Sequence, residues 1–278
     1  MPTSGQFAVG ELVTASDANT LFTRGYRNRI INGAFVINER GYTSAANLVS
    51  GSYGFDRWKS GFTNTALTFT AGSQATTVTI SASGVIQQII ERENMPAGTY
   101  TLSWTGTATA RIYNSGATPP AYAAGPITVT LDGSANVVVE FTASGSTKTL
   151  GLVQLEAGTV YSPFEYRHRS EELRLCSRYY QKLDQPPLRG VCSSAFARLA
   201  CYFPPMRTAP TISGNGGTMG FYDGVTAVIG NVGITISYNF SNCGFEVDIS
   251  SSGWTAGRAA VLYQVNTATF SIALSAEL

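Results

Sequence analysis

From about residue 28 onward the chain alternates apolar and polar residues in short runs. Leu67/Phe69, Val78/Ile80, Tyr100/Leu102/Trp104, Ile127/Val129/Leu131 and Val137/Val139/Phe141 each place apolar side chains two residues apart, the period of a strand with one buried face. Between the runs stand Ala-Gly-Ser at 71–73, Met-Pro-Ala-Gly at 95–98, Asn-Ser-Gly at 114–116 and Asp-Gly-Ser at 132–134, residues that supply the fixed or positive φ of tight turns. The same alternation returns in Ala195/Ala197/Leu199/Cys201/Phe203, Phe245/Val247/Ile249 and Phe270/Ile272/Leu274. No repeat of fixed length is present, which argues against a β-helix. The pattern predicts an all-β protein built of two jelly-roll-like β-sandwich domains.

One stretch departs from period two. Seven of the fourteen residues from Glu165 to Arg178 are charged, against 13% for the chain, and Leu173, Cys176, Tyr180 and Leu183 recur at helical spacing. Ser170 is placed to cap the helix, Glu171 and Glu172 to complement its positive end, and Arg178 and Lys182 its negative end. Gln185-Pro-Pro-Leu188 would break it. The expected organisation is a leader over 1–27, a first sandwich over 28–166, a connector helix over 167–184 and a distal sandwich over 185–278. The helix either joins the two flanking domains or contributes to a subunit interface. Within the leader, Ser16 to Gly25 has the marks of a brief helix too short to stand alone, so it must dock, either back on its own domain or as a peg in a larger assembly.

Composition narrows the partners. The 278 residues carry 18 Lys+Arg and 17 Asp+Glu, a net charge of +1, which leaves no field to gather nucleic acid or coat an anionic membrane. No apolar run approaches the roughly 20 residues that span a bilayer, and the opening residues lack a secretory signal pattern, so synthesis and assembly in a cytoplasm are expected. Cys176, Cys192, Cys201 and Cys243 have no metal-ligand spacing and the sole histidine is His168; four free thiols and no cofactor or metal are expected.

The chemistry-bearing residues are few. Paired carboxylates for glycoside hydrolysis would come from Asp56, Glu91, Glu93, Glu140 and Glu156; Glu91 and Glu93 share a strand face but precede a turn, where surface charge is the simpler reading. His168 lies between Arg167 and Arg169, whose charge opposes imidazolium formation. Neither a phosphate-binding Gly-Lys-Ser/Thr nor a His-Glu-x-x-His occurs, so no enzymatic activity is expected. Sugar binding asks less, namely an exposed aromatic face beside hydrogen-bonding groups. Tyr222-Asp223, Tyr238-Asn239 and Trp254 in the distal domain qualify, as do Tyr113-Asn114 and Tyr122 in the first.

Several motifs, taken together and in order, resemble those of tailed-phage tail fibre and receptor-binding proteins. They are Asn28-Arg-Ile-Ile-Asn-Gly-Ala-Phe35, Asn38-Glu-Arg-Gly41, Gly54-Phe-Asp-Arg-Trp58, Pro96-Ala-Gly-Thr-Tyr-Thr-Leu-Ser103, Gln154-Leu-Glu-x-Gly158 leading to Pro163-Phe-Glu-x-Arg167, Leu175-Cys-x-Arg-Tyr-Tyr180, and Phe203-Pro-Pro-Met-Arg-Thr-Ala-Pro-Thr211. The resemblance implies a virion tail component with a first domain like a carbohydrate-binding-module jelly roll, assembled as a homotrimer. It transfers no catalytic residues, and it implies an architectural role for Asp56, Arg57 and Trp58 and for Glu156, Glu165 and Arg167. In a fibre attached to a tail or baseplate protein through residues 1–27, the distal domain meets the host. Tyr222, Asp223, Tyr238, Asn239 and Trp254 are therefore the expected contacts to a host-surface polysaccharide or protein. The alternatives are a purely structural tail or baseplate component, and a tailspike depolymerase.

Overall fold

The computed structural model describes residues 26–184, 186, 188–214, 218–222, 224–225, 227–231, 235–238, 241–250, 255–264 and 271–278. Its regular structure is nearly all strand, arranged in four antiparallel sheets. The chain divides into two compact units at Leu173/Arg174.

In the first unit the strands are β1 (Asn47–Leu48), β2 (Lys59–Ser60), β3 (Thr65–Phe69), β4 (Val78–Ile80), β5 (Val85–Ile90), β6 (Gly98–Gly106), β7 (Thr109–Asn114), β8 (Ile127–Leu131), β9 (Val137–Thr142) and β10 (Lys148–Ala157). A six-stranded sheet runs β1-β3-β4-β10-β6-β8 and a four-stranded sheet β2-β5-β9-β7. From β4 to β10 successive strands change sheet at every step. Leu67, Ile80, Leu102 and Leu155 from one sheet and Ile86, Ile112, Val139 and Phe141 from the other belong to a single buried cluster, so the sheets face each other across one core. Trp58 is fully buried in it. Its ring stacks on Phe35 at 4.9 Å, and its Nε1 donates to the Asn32 carbonyl at 2.9 Å.

Residues 27–37 form no strand, yet they are stitched down by side chains. Asn28 accepts from the amides of Ile30 and Leu155 and donates to the Val153 carbonyl; Asn32 accepts from Val36 and Ile37 and donates to the carbonyls of Ile37 and Asp56. Glu165 accepts from the amides of Arg27 and Asn28, Arg167 donates to the carbonyls of Ile30 and Asn28, and Glu172 accepts from the amide of Asn32. Gly33 makes the closest approach. A Cβ there would sit 2.1 Å from the Val153 carbonyl oxygen, whose own amide donates to the Gly33 carbonyl at 2.9 Å. The Asn, Glu and Arg side chains of this region are thus the partners that its irregular backbone uses in place of a strand neighbour.

The helix is shorter than the predicted 167–184. Helix α1 is Arg169–Ser177, with Glu171 and Glu172 in its first turn as expected. Ser170 does not cap it: its hydroxyl pairs with the His168 ring at 2.7 Å, while the His168 carbonyl accepts from the amides of Glu171 and Glu172. Tyr180 and Leu183, placed on the helical stripe, instead belong to β11 (Tyr180–Asp184), which pairs with the C-terminal strand β20 (Ser271–Ser275). Five residues of distant sequence, Ser271–Ser275, thus override the local 3.6 period.

The second unit contains a three-stranded sheet, β11-β20-β14, with β14 at Thr211–Gly214. Its larger sheet uses β12 (Arg189–Cys192), β13 (Phe196–Tyr202), β15 (Thr218–Tyr222), β16 (Ala227–Asn231), β17 (Thr235–Tyr238), β18 (Gly244–Ser250) and β19 (Ala259–Gln264), in the order β16-β15-β19-β12-β13-β18-β17. Leu199, Cys201, Phe245 and Val247 from this sheet share a cluster with Ile272 and Leu274 of β20. The opposite face of the seven-stranded sheet points away from that core.

Candidate functional site

Of the five residues expected to contact a ligand, Asp223, Asn239 and Trp254 lie outside the described residues. Tyr222 and the backbone of Tyr238 are described, and the sheet registers connect them. Tyr222 is opposite Val261, Val261 opposite Arg189, Arg189 opposite Ala200, Ala200 opposite Glu246, and Glu246 opposite Tyr238. The two tyrosine positions therefore end one file of residues across six strands, ~24 Å apart at the usual strand spacing. Tyr222 is 41% exposed and its hydroxyl donates to the Gly224 carbonyl at 2.7 Å, which fixes the ring at the turn after β15.

From Val261 to Glu246 the file belongs to the face opposite the core, because period two turns Leu199 and Cys201 inward and Ala200 and Tyr202 outward. Tyr202 is 84% exposed, and Val191 and Val261 are also exposed. Beside them Arg198 clamps Asp248 across β13 and β18 through two bonds of 2.8 Å, satisfying both charges locally.

At the end of β13 and β18 this face opens into a cavity of about 400 Å³, with Ala200, Tyr202, Ser241, Cys243, Gly244 and Glu246 in its wall. Gly244 is opposite Tyr202, and a Cβ on it would lie 3.2 Å from the Tyr202 ring. The bare glycine is what lets the ring lie close against the neighbouring strand. Ser241 shapes the rim: its Oγ accepts from the Cys243 amide at 3.3 Å and donates to the Gly244 carbonyl at 3.2 Å. Cys243 is exposed, whereas Cys176, Cys192 and Cys201 are buried, none of the four is in a disulfide, and burial pushes the Cys201 thiol up to about 11. Tyr202 was not among the expected ligand residues. Its signal was an aromatic on the outward side of a strand whose other positions alternate.

In the first unit the aromatics near polar residues are committed elsewhere. Tyr113 is buried, and Tyr122 donates to Glu140. Glu140, fully buried, also accepts from Arg111 Nε at 2.7 Å, and the Arg111 guanidinium lies 4.3 Å from the Tyr122 ring centre. Burial, reinforced by the bond to Glu140, holds the Tyr122 phenol well above its ordinary pKa. The other carboxylates considered for hydrolysis are likewise engaged in structure. Glu156 is buried and accepts from Ser162 and Gln154, and Asp56 is buried and accepts from the Glu39 amide at 2.7 Å. Glu91, read from sequence as a surface charge, is 5% exposed at the end of β5; Glu93 is exposed. Apolar Ile90 and Met95 on either side draw the first turn after β5 against the core.

Among the described residues no group of three or more His, Cys, Asp or Glu is placed to hold a metal ion, and no helix is long and apolar enough to cross a membrane.

No protein-family model matches the chain, and no curated protein matches it in sequence. Among solved structures it is similar to a cycloisomaltooligosaccharide glucanotransferase from a Paenibacillus species, complexed with cycloisomaltoheptaose, at 9% identity and a TM-score of 0.24. The match covers 82% of this chain and 47% of that one, so the chain spans about half the length of that enzyme. A likeness of that degree carries neither fold nor activity across.

Proposed function

We propose that the protein is an attachment component of a phage tail, of tail-fibre type, that binds a host-surface glycan through the outer face of its second unit. The observation that carries this reading is the exposed face of the seven-stranded sheet, with Tyr202 84% and Tyr222 41% exposed and Glu246 on the same face beside Ala200. The motif order from Asn28 to Thr211 supports the tail-fibre assignment, and the residues of those motifs are the ones that stitch the first unit together. We read that unit as a jelly roll, because its strands change sheet at each step, and the helix with its flanking segments as the link to a distal sandwich. On this reading residues 1–27 attach to a tail or baseplate protein, the virion tail is the site of action, and three copies assemble, burying strand edges such as those of β16 and β17 that would otherwise stay open.

Light scattering on the purified chain, followed by binding of the labelled protein to candidate host cells, tests both halves. A trimer that adsorbs to cells is expected. A trimer that adsorbs to nothing would replace this function with that of a structural tail or baseplate component, and a monomer would overturn the assembly. Clearing of host polysaccharide by the protein alone would replace it with a depolymerase.

A further inference from the structure

We propose that the cavity at the β13–β18 end of the seven-stranded sheet is a subsite for one uncharged or amino-bearing pyranose ring of the glycan; this rests on the attachment function above and specifies its chemistry. Tyr202 offers the apolar surface. Its exposed ring contributes nothing to the core, and the C–H face of a pyranose would cover it much as an apolar side chain would. Glu246 offers the polar recognition. It is opposite Ala200 on the same outward file, its carboxylate has no ion-pair or hydrogen-bond partner among the described residues, and two carboxylate oxygens match two neighbouring sugar hydroxyls. Ser241 stands on the rim with its proton directed to the Gly244 carbonyl and its oxygen accepting from the Cys243 amide, with the Cys243 thiol 3.6 Å away; a sugar hydroxyl would compete with that weak thiol contact for the remaining lone pair.

Charge selects among sugars. Among the described residues the wall contains one carboxylate and no Lys, Arg or His; on the same face the Arg198 guanidinium is spent on Asp248, and the exposed Arg189 stands one strand beyond Ala200, two strands from Glu246. A uronate, sialate or phosphate-bearing sugar seated in the cavity would bring its anion against Glu246 with no counter-charge in the wall itself, whereas a neutral or amino sugar would not. A cavity of about 400 Å³ lies at the small end of ligand pockets, which suits a single ring and its linkage rather than a long oligosaccharide.

Cys243 makes the subsite directly testable, since it is the exposed thiol of the four and lines the cavity. The rate of its alkylation by iodoacetamide would be measured on the full chain with glucose, galactose, mannose, rhamnose, N-acetylglucosamine and glucosamine, and with glucuronate at matched ionic strength. At least one of the first six is expected to slow alkylation saturably, about threefold when its concentration is about twice its Kd, while glucuronate leaves the rate unchanged. Tyr202→Ala and Glu246→Gln should each abolish the protection, and Tyr202→Phe should keep it, with the unprotected rate and the melting temperature the same in all. Should no sugar protect Cys243, or should adsorption to host cells survive Tyr202→Ala and Glu246→Gln, the subsite is wrong while the attachment function stands. A chain that adsorbs to no cell and is protected by no sugar would overturn both.

Discussion

Asp56 gives the first unit a pH dependence whose size follows from its surroundings. Its side chain is fully buried in the loop before Trp58; one oxygen accepts from the Glu39 amide and the other, Oδ1, has no hydrogen-bond partner. Burial raises its pKa from 3.8 to about 6, against the opposing pull of the Arg40 charge and of two backbone amides. The folded state therefore holds this proton more tightly than the unfolded chain, so the contribution is fully present below about 3.8 and is lost as pH rises through 6. The difference corresponds to ~3 kcal/mol in full, and to about 1.4 kcal/mol between pH 8 and pH 5. Asp56→Asn keeps an oxygen for the Glu39 amide and removes the titration. Urea unfolding followed by tryptophan fluorescence, with Trp58 and Trp104 both in this unit, would be run on the two proteins at pH 5 and pH 8. The parent should gain about 1.4 kcal/mol relative to the variant on going to pH 5, other titrations cancelling in the comparison. Parallel pH dependences in the two proteins would refute the assignment.

Three further outcomes are expected. Gly33→Ala, which drives a Cβ into the Val153 carbonyl, should cost about 2–4 kcal/mol and release the Gly33–Val153 hydrogen bond, measured by thermal melting and by amide exchange at Val153. Arg111→Met strands the buried Glu140 carboxylate and should cost about 3–5 kcal/mol, most of it recovered when Glu140→Gln is added, as a double-mutant cycle would show. At pH 8 a thiol-exchange reagent should titrate Cys243 quickly in the native protein and all four cysteines in denaturant; rapid native reaction of Cys201, held at about 11 by burial, would contradict its placement.

The strands that announced themselves in sequence, β3, β4, β6, β8 and β9, are those whose inward positions are apolar at every second residue. β5 did not, because Gln88 occupies an inward position, where its amide satisfies both the N–H and the carbonyl of Ile31. Only the partner 57 residues away makes a buried glutamine sensible there. β10 broke its own period: Leu152 adopts φ 45° and the register with β6 shifts between Gly151 and Gln154. Residues 180–184 fit a helical stripe and a strand equally well, and pairing with β20 decided between them. At the candidate site, the search for tyrosines followed by Asn or Asp in loops found Tyr222 and Tyr238, and register then placed them in one file. It passed over Tyr202 because that residue ends a strand and is followed by Phe203, an apolar neighbour that belongs to the other face.

On the attachment function proposed above, the stitching of residues 27–32 to 153–172 has a mechanical meaning. Where the chain arrives at the first sandwich, at Arg27 and Asn28, it is already bonded to Glu165 and Arg167, the residues by which it leaves. A pull applied between the two ends would pass across this handful of charged and amide contacts without being transmitted strand by strand through the sheets. The sandwich hangs beside the line of force as a closed loop, and its β-ladders would feel tension only after Glu165 and Arg167 had let go.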